Sequence, residues 1–277
     1  FEMWDHCKEV AQILPVTDRV IWGKARQIGA TTILAAYVLW KCYEDNFKAL
    51  LFSQGESEAE AFLAKISEMH AHLPPYLQLP TRKDVVSRME FVNGSTVRAF
   101  PSTKKAGRSW TASLVIMDEG DFHEFFKANY TAVSATVGLA GAQLFIASTW
   151  NPDTMPSRKD PKGSFFKELY IQAARNGFRK LFYGWDVVPS RDAAWLADRE
   201  AESADQASFE KEYPPTEQIM MQPAQALRSF DVNALMAMRE FTQRPVENDD
   251  LFPAINYYQH QRSGGVYMAG TDVAHGV

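Results

Sequence analysis

A polar stretch of nine residues between two apolar runs constrains the fold of this chain more than any other feature. Apolar residues at 20–22 precede it, and apolar residues recur with helical spacing over 33–40 after it. This order predicts a strand, a tight loop and a helix. The N–H groups of such a loop and of the helix N-terminus carry partial positive charge, so the stretch predicts a phosphate-binding loop. Its residues are Lys24, Ala25, Arg26, Gln27, Ile28, Gly29, Ala30, Thr31 and Thr32.

The stretch differs from the usual phosphate-loop pattern G-x-x-x-x-G-K-[ST] in the place of its lysine. Lys24 occupies the first glycine position and Ala30 the lysine position, whereas Gly29 and Thr31 match the pattern. An ammonium group that enters from the start of the loop can still reach the same phosphates. Gly29 permits close approach of the backbone, the Thr31 hydroxyl suits a Mg2+ ion shared with phosphate, and Arg26 adds a second cation. Taken alone, the stretch could equally be a solvated basic turn.

The composition is that of an ordinary soluble globular protein. The 277 residues are 46% hydrophobic and 23% charged, which suits one large domain or two modest ones. The sequence contains no run of about 18 apolar residues, so it predicts no membrane-spanning helix. Its N-terminus lacks the features of a signal peptide. Cys7 and Cys42 are too few for a disulfide framework and are expected to be packing residues. The net charge of −5 argues against nonspecific coating of nucleic acid but leaves a local basic patch open.

Apolar runs of strand length alternate with helical patterns through the first two thirds of the chain. Residues 88–92 and 95–100 flank Asn93 and Gly94, a strong hairpin signal. The alternation predicts an α/β fold, with a mostly parallel sheet flanked by helices. The predicted strands are 19–23, 49–52, 113–117, 143–147 and 179–185, and the predicted helices are 1–14, 33–43, 57–72 (capped by Ser57), 122–137 and 164–176.

From about residue 186 the pattern changes to charged helical stretches separated by loops that contain proline. Helices are expected at 192–212 and 231–243, and no strong strand is predicted there. We therefore expect one subdomain at 1–185 and a small, mostly helical second subdomain at 186–262.

Two adjacent carboxylates follow the apolar residues 114–117. Ligands bind at the carboxyl ends of strands in open parallel sheets, so Asp118 and Glu119 are placed to act on a bound nucleotide. Asp118 would hold Mg2+ directly or through water, and Glu119 would polarise a water for in-line attack on the γ-phosphate. Ser148 and Thr149 end a third strand and could contact that water or the γ-phosphate. The alternatives are an acidic strand exit and a hydroxyl turn without function.

These stretches together resemble the large subunit of tailed-bacteriophage terminases, the ATPase of the viral DNA-packaging motor. Residues 24–32 resemble the variant Walker A motif of that family with its early lysine, and residues 114–119 resemble its Walker B motif with the catalytic glutamate. Residues 148–152 are similar to its coupling motif, in which Ser148, Thr149 and Asn151 would relay hydrolysis to the linker. The resemblance covers about residues 19–277. It implies a fold of the P-loop NTPase type (ASCE class), with residues 1–185 as the ATPase subdomain and residues 186–262 as the linker subdomain.

The resemblance implies an ATPase that drives double-stranded DNA into a procapsid, with ATP and Mg2+ as cofactors. It also implies a portal protein, a small terminase subunit and further copies of this chain in a ring as partners, with a monomer as the alternative for the isolated chain. No membrane partner is expected, and the location would be the cytoplasm of a bacterial host cell, docked on the procapsid during packaging. Arg108 falls where some relatives carry an arginine that reaches a neighbouring subunit's nucleotide. Arg108 could instead contact DNA or pair with a carboxylate, and Lys104 and Lys105 are rivals for the DNA contact.

The last residues resemble the first strand of the RNase H-like nuclease domain of the family. By that resemblance, residues 263–277 begin a nuclease domain and Asp272 is its first metal-binding carboxylate. Two-metal cleavage needs several carboxylates, so no nuclease activity is expected from this part alone. Relatives usually contact adenine with residues upstream of the phosphate loop, where only Trp4 or residues 12–15 could serve in this chain.

Two other functions are compatible with the nucleotide motifs. A helicase-like or other DNA-remodelling ATPase shares both motifs, although such an enzyme should carry a second RecA-like lobe that residues 186–262 do not resemble. A non-hydrolysing structural module is the other alternative, since Ala30 replaces the usual lysine.

Overall fold

The computed structural model describes residues 3–104, 106, 110–151, 154, 163–204, 206–221, 247–248 and 256–257. The chain forms two compact units, Phe1–Leu227 and Arg228–Val277. The predicted boundary near residue 186 falls within the first unit, and the predicted division into ATPase, linker and nuclease parts stays a prediction.

The first unit is built on an eight-stranded sheet in the order β3-β4-β5-β2-β6-β7-β1-β8. All neighbouring pairs from β5 to β8 are parallel, and β3 and β4 add an antiparallel edge. The predicted mostly parallel sheet is therefore confirmed. The strands are β1 (Arg19–Lys24), β2 (Lys48–Ser53), β3 (Thr81–Val85), β4 (Arg88–Phe91), β5 (Thr96–Pro101), β6 (Leu114–Asp118), β7 (Gln143–Ser148) and β8 (Arg179–Tyr183).

Helices cover both faces of the sheet, because the central strands are apolar on both sides. Val20 and Trp22 of β1 pack into a core with the first three helices, whereas Ile21 between them packs into a second core with the fourth and fifth. This alternation along one strand is the two-residue period of β structure. None of the described helices is long and apolar enough to cross a membrane. The helices are α1 (Asp5–Ile13), α2 (Ala30–Lys41), α3 (Glu56–Ala71), α4 (Phe126–Ala140), α5 (Phe165–Ile171), α6 (Ala193–Glu202), α7 (Gln206–Glu212) and α8 (Glu217–Met221).

Several predicted helix limits are wrong, each for a local reason. α3 begins one residue before Ser57 and its N-cap is Gly55, so Ser57 does not cap it. α4 begins four residues later than predicted because Gly120–Phe122 form a 3-10 turn. The predicted helix at 192–212 is two helices, α6 and α7.

The edge strand β3 was not predicted from the sequence. All five of its residues, Thr81–Val85, are exposed, so they lack the apolar alternation that marks a half-buried strand. Its pairing with β4 is what defines it.

In the second unit, β9 (Glu247–Asn248) and β10 (Asn256–Tyr257) form an antiparallel pair. The predicted helix at 231–243 and the predicted nuclease strand with Asp272 lie outside the described residues.

The predicted hairpin between β4 and β5 is confirmed. Its turn is closed by the Gly94 N–H, which donates to the Phe91 carbonyl at 3.1 Å, and by the Phe91 N–H, which donates to the Ser95 carbonyl at 2.9 Å. Gly94 has a φ of +85°, a left-handed conformation that glycine adopts without steric cost. A Cβ at this position would lie 2.4 Å from Oδ1 of Asn46.

We expect Gly94→Ala to lower the free energy of unfolding by about 2 kcal/mol, because alanine is disfavoured in the left-handed region and would displace the Asn46 side chain. Gly141→Ala is the matched control, since Gly141 also has a positive φ, +61°, but has open space around its Cβ position. The control should lose only about 1 kcal/mol. Urea unfolding of both variants measures the difference, and equal losses would show that the contact with Asn46 is irrelevant.

Candidate active site

Three of the predicted site residues lie at the carboxyl ends of three adjacent strands. β7 lies between β1 and β6 in the sheet. Lys24 is the last residue of β1, Asp118 the last residue of β6, and Ser148 the last residue of β7. All three are buried. The sheet order therefore brings together residues that are far apart in the sequence.

Lys24 and Glu119 are in direct contact across the end of β7. The ammonium Nζ of Lys24 donates to Oε1 of Glu119 at 2.5 Å. The Lys24 side chain is 5% exposed and that of Glu119 is 30% exposed. A single bound phosphate group could thus reach both side chains, as the prediction of a nucleotide site requires.

The two proposed magnesium ligands are also in contact. The Thr31 hydroxyl in the first turn of α2 donates to Oδ2 of Asp118 at 2.8 Å. The described residues contain no cluster of three or more His, Cys, Asp or Glu side chains that could hold a metal by themselves. A Mg2+ ion bound largely by phosphates and water needs only one or two protein oxygens, so these two residues would be enough to hold one.

The Glu119 carboxylate is oriented by the end of β7. Oε2 accepts hydrogen bonds from the Thr149 N–H at 3.1 Å and the Thr149 hydroxyl at 3.4 Å, and the Ser148 hydroxyl lies at 3.5 Å. Glu119 has a φ of +52°, which is uncommon for a residue with a side chain. Such a backbone conformation persists only where surrounding contacts stabilise it. Here Lys24 and Thr149 donate hydrogen bonds to the two carboxylate oxygens of Glu119.

The two adjacent carboxylates have opposite pKa shifts. Burial and the neighbouring charge of Glu119 raise the pKa of Asp118, although Lys24 and Thr31 oppose the rise. Burial also tends to raise the pKa of Glu119, but the charge and hydrogen bond of Lys24 and the bonds from Thr149 outweigh it, so this pKa is lowered. Glu119 is therefore held as a carboxylate, the form that can accept a proton or orient a water.

The loop between β1 and α2 has the backbone of an anion-binding turn. Gln27 and Gly29 have φ values of +56° and +82°. Alternation of right- and left-handed residues turns successive N–H groups to one side and forms a concave nest for anions. The side chains of Ala25, Ile28 and Ala30 are buried in the core, so these residues can offer a ligand only their backbone.

Two predicted ligand residues of the loop have protein partners. Arg26, expected to grip phosphate, forms an ion pair with Glu212 at the end of α7, and its N–H donates to the Glu212 carbonyl at 2.7 Å. The Thr32 hydroxyl accepts a hydrogen bond from Lys65 of α3 at 3.3 Å. Arg26 can therefore reach a phosphate only if its side chain leaves Glu212.

A buried ion pair that the sequence did not reveal connects the site to α5. Oδ2 of Asp121 lies 3.4 Å from Nζ of Lys167, and both side chains are at most 1% exposed. The Asp121 N–H donates to the Ser148 hydroxyl at 3.0 Å, and Oδ2 of Asp121 accepts from the Asn151 N–H at 2.7 Å. Oδ1 accepts from Ser164, the N-cap of α5. This network fixes the predicted coupling residues Ser148 and Asn151 to the loop that carries Glu119.

A cleft of about 340 Å³ opens beside Glu119. Arg26, Thr149, Asn151 and Glu212 line it together with Glu119. The partly exposed carboxylate of Glu119 and the ion-paired side chain of Arg26 therefore face the same space.

The remaining predicted site residues are only partly accounted for. Arg108, Lys105 and Asp272 lie outside the described residues. Trp4, one of the two predicted base contacts, lies beside the loop, since a Cβ on Gly29 would be 3.5 Å from its ring. The adenine contact stays a prediction.

Residues 21–155 match the sequence model of a protein family described as "Terminase large subunit, T4likevirus-type, N-terminal". The matched stretch contains the loop after β1, the carboxylates after β6 and the end of β7. It includes Lys24, Thr31, Asp118, Glu119 and Thr149, whereas Trp4, Ser164, Lys167 and Glu212 lie outside it.

The solved structures most useful for comparison are large terminases of three phages. The large terminase ATPase domain of Thermus phage P74-26 has a TM-score of 0.55 at 16% identity, over 74% of this chain and 91% of that one. The large terminase of a thermophilic bacteriophage, solved in complex with ADP, has a TM-score of 0.61 at 12% identity, over 78% of this chain and 53% of that one. The HK97 bacteriophage large terminase has a TM-score of 0.53 at 16% identity, over 94% of this chain and 51% of that one. The fold is thus that of a large terminase ATPase domain, and the chain spans about half the length of the ADP-bound and HK97 proteins.

Removal of one member of the Asp121–Lys167 pair should destabilise the protein strongly. Lys167→Met leaves the Asp121 carboxylate buried without its cation, and we expect a loss of about 3–5 kcal/mol in the free energy of unfolding. The double variant Asp121→Asn with Lys167→Met should recover most of that loss. Lys180→Met, at the more exposed pair with Glu217, is the control and should cost less than about 1 kcal/mol. A double variant as unstable as Lys167→Met, measured by urea unfolding, would contradict this view of the pair.

His123 should make the protein less stable as the pH falls. Burial lowers the pKa of His123 from 6.5 to about 4, although its bond to the Asp118 carbonyl opposes the shift. The unfolded chain therefore takes up a proton near pH 6.5 while the folded chain does not. The stabilising contribution is present above pH 6.5 and is lost toward pH 4, by up to about 3 kcal/mol. Urea unfolding in EDTA at pH 7 and pH 4.5 should show a smaller loss for His123→Gln than for the parent, and equal losses would refute the assignment.

Proposed function

We propose that this chain, whose residues 21–155 match the large terminase family, hydrolyses ATP to drive double-stranded DNA into a viral procapsid. The resemblance drawn from the motifs is confirmed by the family match and by the fold. The observation that carries the proposal is the 2.5 Å contact between Lys24 and Glu119 at the carboxyl edge of the sheet. That contact supports the proposal, because one triphosphate could reach both Lys24, the proposed phosphate-binding cation, and Glu119, the proposed catalytic carboxylate.

ATP would bind with its phosphates over the loop of residues 24–32. Lys24 would bind the β- and γ-phosphates, because its ammonium is buried at the strand end and needs an anionic partner. The backbone N–H groups of the loop would contact the same phosphates, with Gly29 allowing close approach. Glu119, held as a carboxylate, would orient the attacking water and accept its proton.

Thr31 and Asp118 fit a Mg2+ ion. Their oxygens lie 2.8 Å apart. Burial and the charge of Glu119 raise the pKa of Asp118, so a cation bound beside Asp118 would stabilise its charged form. When bound, Mg2+ would neutralise charge on the phosphate oxygens during phosphoryl transfer. Thr31 and Asp118 would hold it.

Arg26 would change partners when the nucleotide binds. In the structure its guanidinium pairs with Glu212 and faces the cleft beside Glu119. A γ-phosphate in that cleft would attract the guanidinium more strongly than the partly exposed Glu212 carboxylate does. The exchange would break the ion pair that joins α7 to the loop. Nucleotide binding would therefore change the contacts of residues 206–212.

The end of β7 would relay hydrolysis to the rest of the chain. Thr149 contacts the Glu119 carboxylate directly, and Ser148 and Asn151 are joined to α5 through Asp121. Movement of Glu119 when the γ-phosphate is lost would therefore pull on both the β7 end and α5. This is the mechanical route that we assign to the predicted coupling residues.

The partners and location follow from the family and are proposed with the motor function. A portal protein, a small terminase subunit and a ring of identical subunits would hold the DNA, with Arg108 acting on a neighbour's nucleotide. The setting would be the cytoplasm of a bacterial host, on the procapsid, and residues 186–262 would form the linker. Nuclease activity is not expected from the described residues. The comparisons give no support to a helicase-like enzyme or to an inert module.

We expect Glu119→Gln to reduce kcat for ATP hydrolysis by at least about 100-fold while ADP binding persists, because the amide cannot accept the proton of the attacking water. Lys24→Ala should lower both kcat and nucleotide affinity, since its ammonium touches the phosphates. Glu68→Gln and Lys83→Ala, both on exposed surface away from the cleft, are matched controls and should keep parental rates.

The measurement is steady-state phosphate release with and without double-stranded DNA, over a range of protein concentrations that allows a ring to assemble. A parent that never turns over ATP in any of these conditions would favour the inert module. Turnover that survives Glu119→Gln would remove Glu119 from the catalytic role.

A further inference from the structure

Three successive carbonyl groups of the phosphate loop are held by side chains from outside it. The Arg191 guanidinium donates through one nitrogen to the Arg26 carbonyl at 3.0 Å and through the other to the Gln27 carbonyl at 3.1 Å. The Ile28 carbonyl accepts a hydrogen bond from Nε2 of His6 at 2.7 Å. The two side chains come from opposite ends of the first unit of the chain and neither belongs to a nucleotide motif.

Their positions fix the direction of the loop's N–H groups. In a planar trans peptide the C=O and the N–H of the next residue point in opposite directions. Holding the carbonyls of residues 26, 27 and 28 therefore turns the N–H groups of Gln27, Ile28 and Gly29 away from Arg191 and His6. Gln27 and Gly29 are left-handed, and a turn of this kind can direct successive N–H groups into a nest that suits a phosphate.

Both side chains are themselves fixed. Arg191 precedes α6, its N–H donates to the Val188 carbonyl at 2.9 Å, and its guanidinium lies over the Trp195 ring at 4.4 Å. Asp192, the N-cap of α6, accepts from the backbone N–H of Trp195 at 2.8 Å and so fixes the first turn of the helix that carries that ring. His6 is buried on α1, with its ring 5.8 Å from that of Trp4. Because the Arg191 guanidinium is anchored on Trp195 and the His6 imidazole is buried, these two groups can hold the loop in one conformation. Flexible, fully exposed side chains could not.

We propose that Arg191 and His6 are positioning residues that preorganise the loop of residues 24–32 for phosphate before the nucleotide arrives. The proposal rests on the proposed function and deepens it, because it names the groups that set phosphate affinity without touching the nucleotide. A loop without these hydrogen bonds must order itself when the phosphate binds, and that ordering cost lowers affinity. Residues that only position the loop should therefore change binding much more than the chemical step.

The test compares variants that lose the donor with variants that keep it. Arg191→Met keeps the apolar stem over Trp195 and removes both bonds, and Arg191→Lys keeps the charge but can hold only one carbonyl at a time. His6→Phe keeps a ring and removes the donor, whereas the amide of His6→Gln can still donate to the Ile28 carbonyl. Arg199→Met, at the Glu202 pair on α6, is the matched control.

For Arg191→Met we expect the Kd for ADP and the KM for ATP to rise about 10-fold, with kcat at saturating ATP within about 3-fold of the parent. Arg191→Lys should lie between Arg191→Met and the parent. His6→Phe should weaken binding a few-fold, and His6→Gln should restore it. Inorganic pyrophosphate, used as a competitive inhibitor, should lose the same factor as ADP, because it probes the loop without any base contact near Trp4.

The outcomes separate this inference from the proposed function. Equal ADP and pyrophosphate affinities in the parent, in Arg191→Met and in His6→Phe would overturn the positioning role while the ATPase stands. A loss confined to kcat would overturn it as well, since it would place Arg191 in the chemical step. A parent that binds no nucleotide would overturn both. Urea unfolding of each variant identifies any that is merely unfolded, and for those the Arg191→Lys and His6→Gln pair still decides the question.

Discussion

The buried ammonium of Lys24 is the constraint on which the rest of the site depends. A lysine that is 5% exposed is stable only beside an anion, and the Glu119 carboxylate is that anion in the structure. A bound triphosphate would offer Lys24 a more highly charged partner and would free Glu119 to face a water. Without nucleotide, this ion pair offsets the desolvation cost of the buried ammonium. When a nucleotide binds, Lys24 would pair with phosphate and Glu119 would become free to orient a water. The contact also explains how Glu119 keeps a left-handed backbone and a lowered pKa next to a second acid.

The position of β7 between β1 and β6 makes this ion pair a mechanical junction. Lys24 and Glu119 meet over the end of β7, and Thr149 of that end binds the second carboxylate oxygen of Glu119. Any change in the partner of Glu119 must therefore change the hydrogen bonds at the β7 end. The Asp121–Lys167 pair carries the same change toward α5, because Asp121 bonds to Ser148, Asn151 and Ser164 at once. The order of the strands in the sheet would therefore determine which elements respond to hydrolysis.

The sequence predicted the parts of the fold and site whose cause is local. β1, β2, β6 and β7 are continuous apolar runs because both faces are buried, and the polar residues that follow them could be assigned to one sheet edge. β3 was missed because none of its residues is buried, and the single helix predicted at 192–212 is instead two helices, one that ends at Glu202 and one that begins at Gln206. The partners of Arg26, Asp121 and the loop carbonyls could not be predicted. Glu212, Lys167 and Arg191 are single charged residues in helical or loop sequence, and only the tertiary fold brings them to their partners.

The position of the lysine at the start of the loop explains why side chains from distant parts of the chain contact the loop carbonyls. In the usual motif the lysine follows the glycine and ties the loop to the phosphate from within. Here Ala30 takes that place and is buried, while Lys24 belongs to the sheet, where it is paired with Tyr183 of β8. The Ala25 N–H also donates to the Tyr183 carbonyl, at 2.9 Å, so the sheet continues to the first residue of the loop. Between Ala25 and α2 the loop then has no lysine of its own, and its conformation must be supported from outside. Arg191, His6 and the Glu212 backbone contact the loop from outside. Under the positioning role proposed above, α1 and the segments that carry Arg191 and Glu212 would act on nucleotide binding although no nucleotide motif includes them.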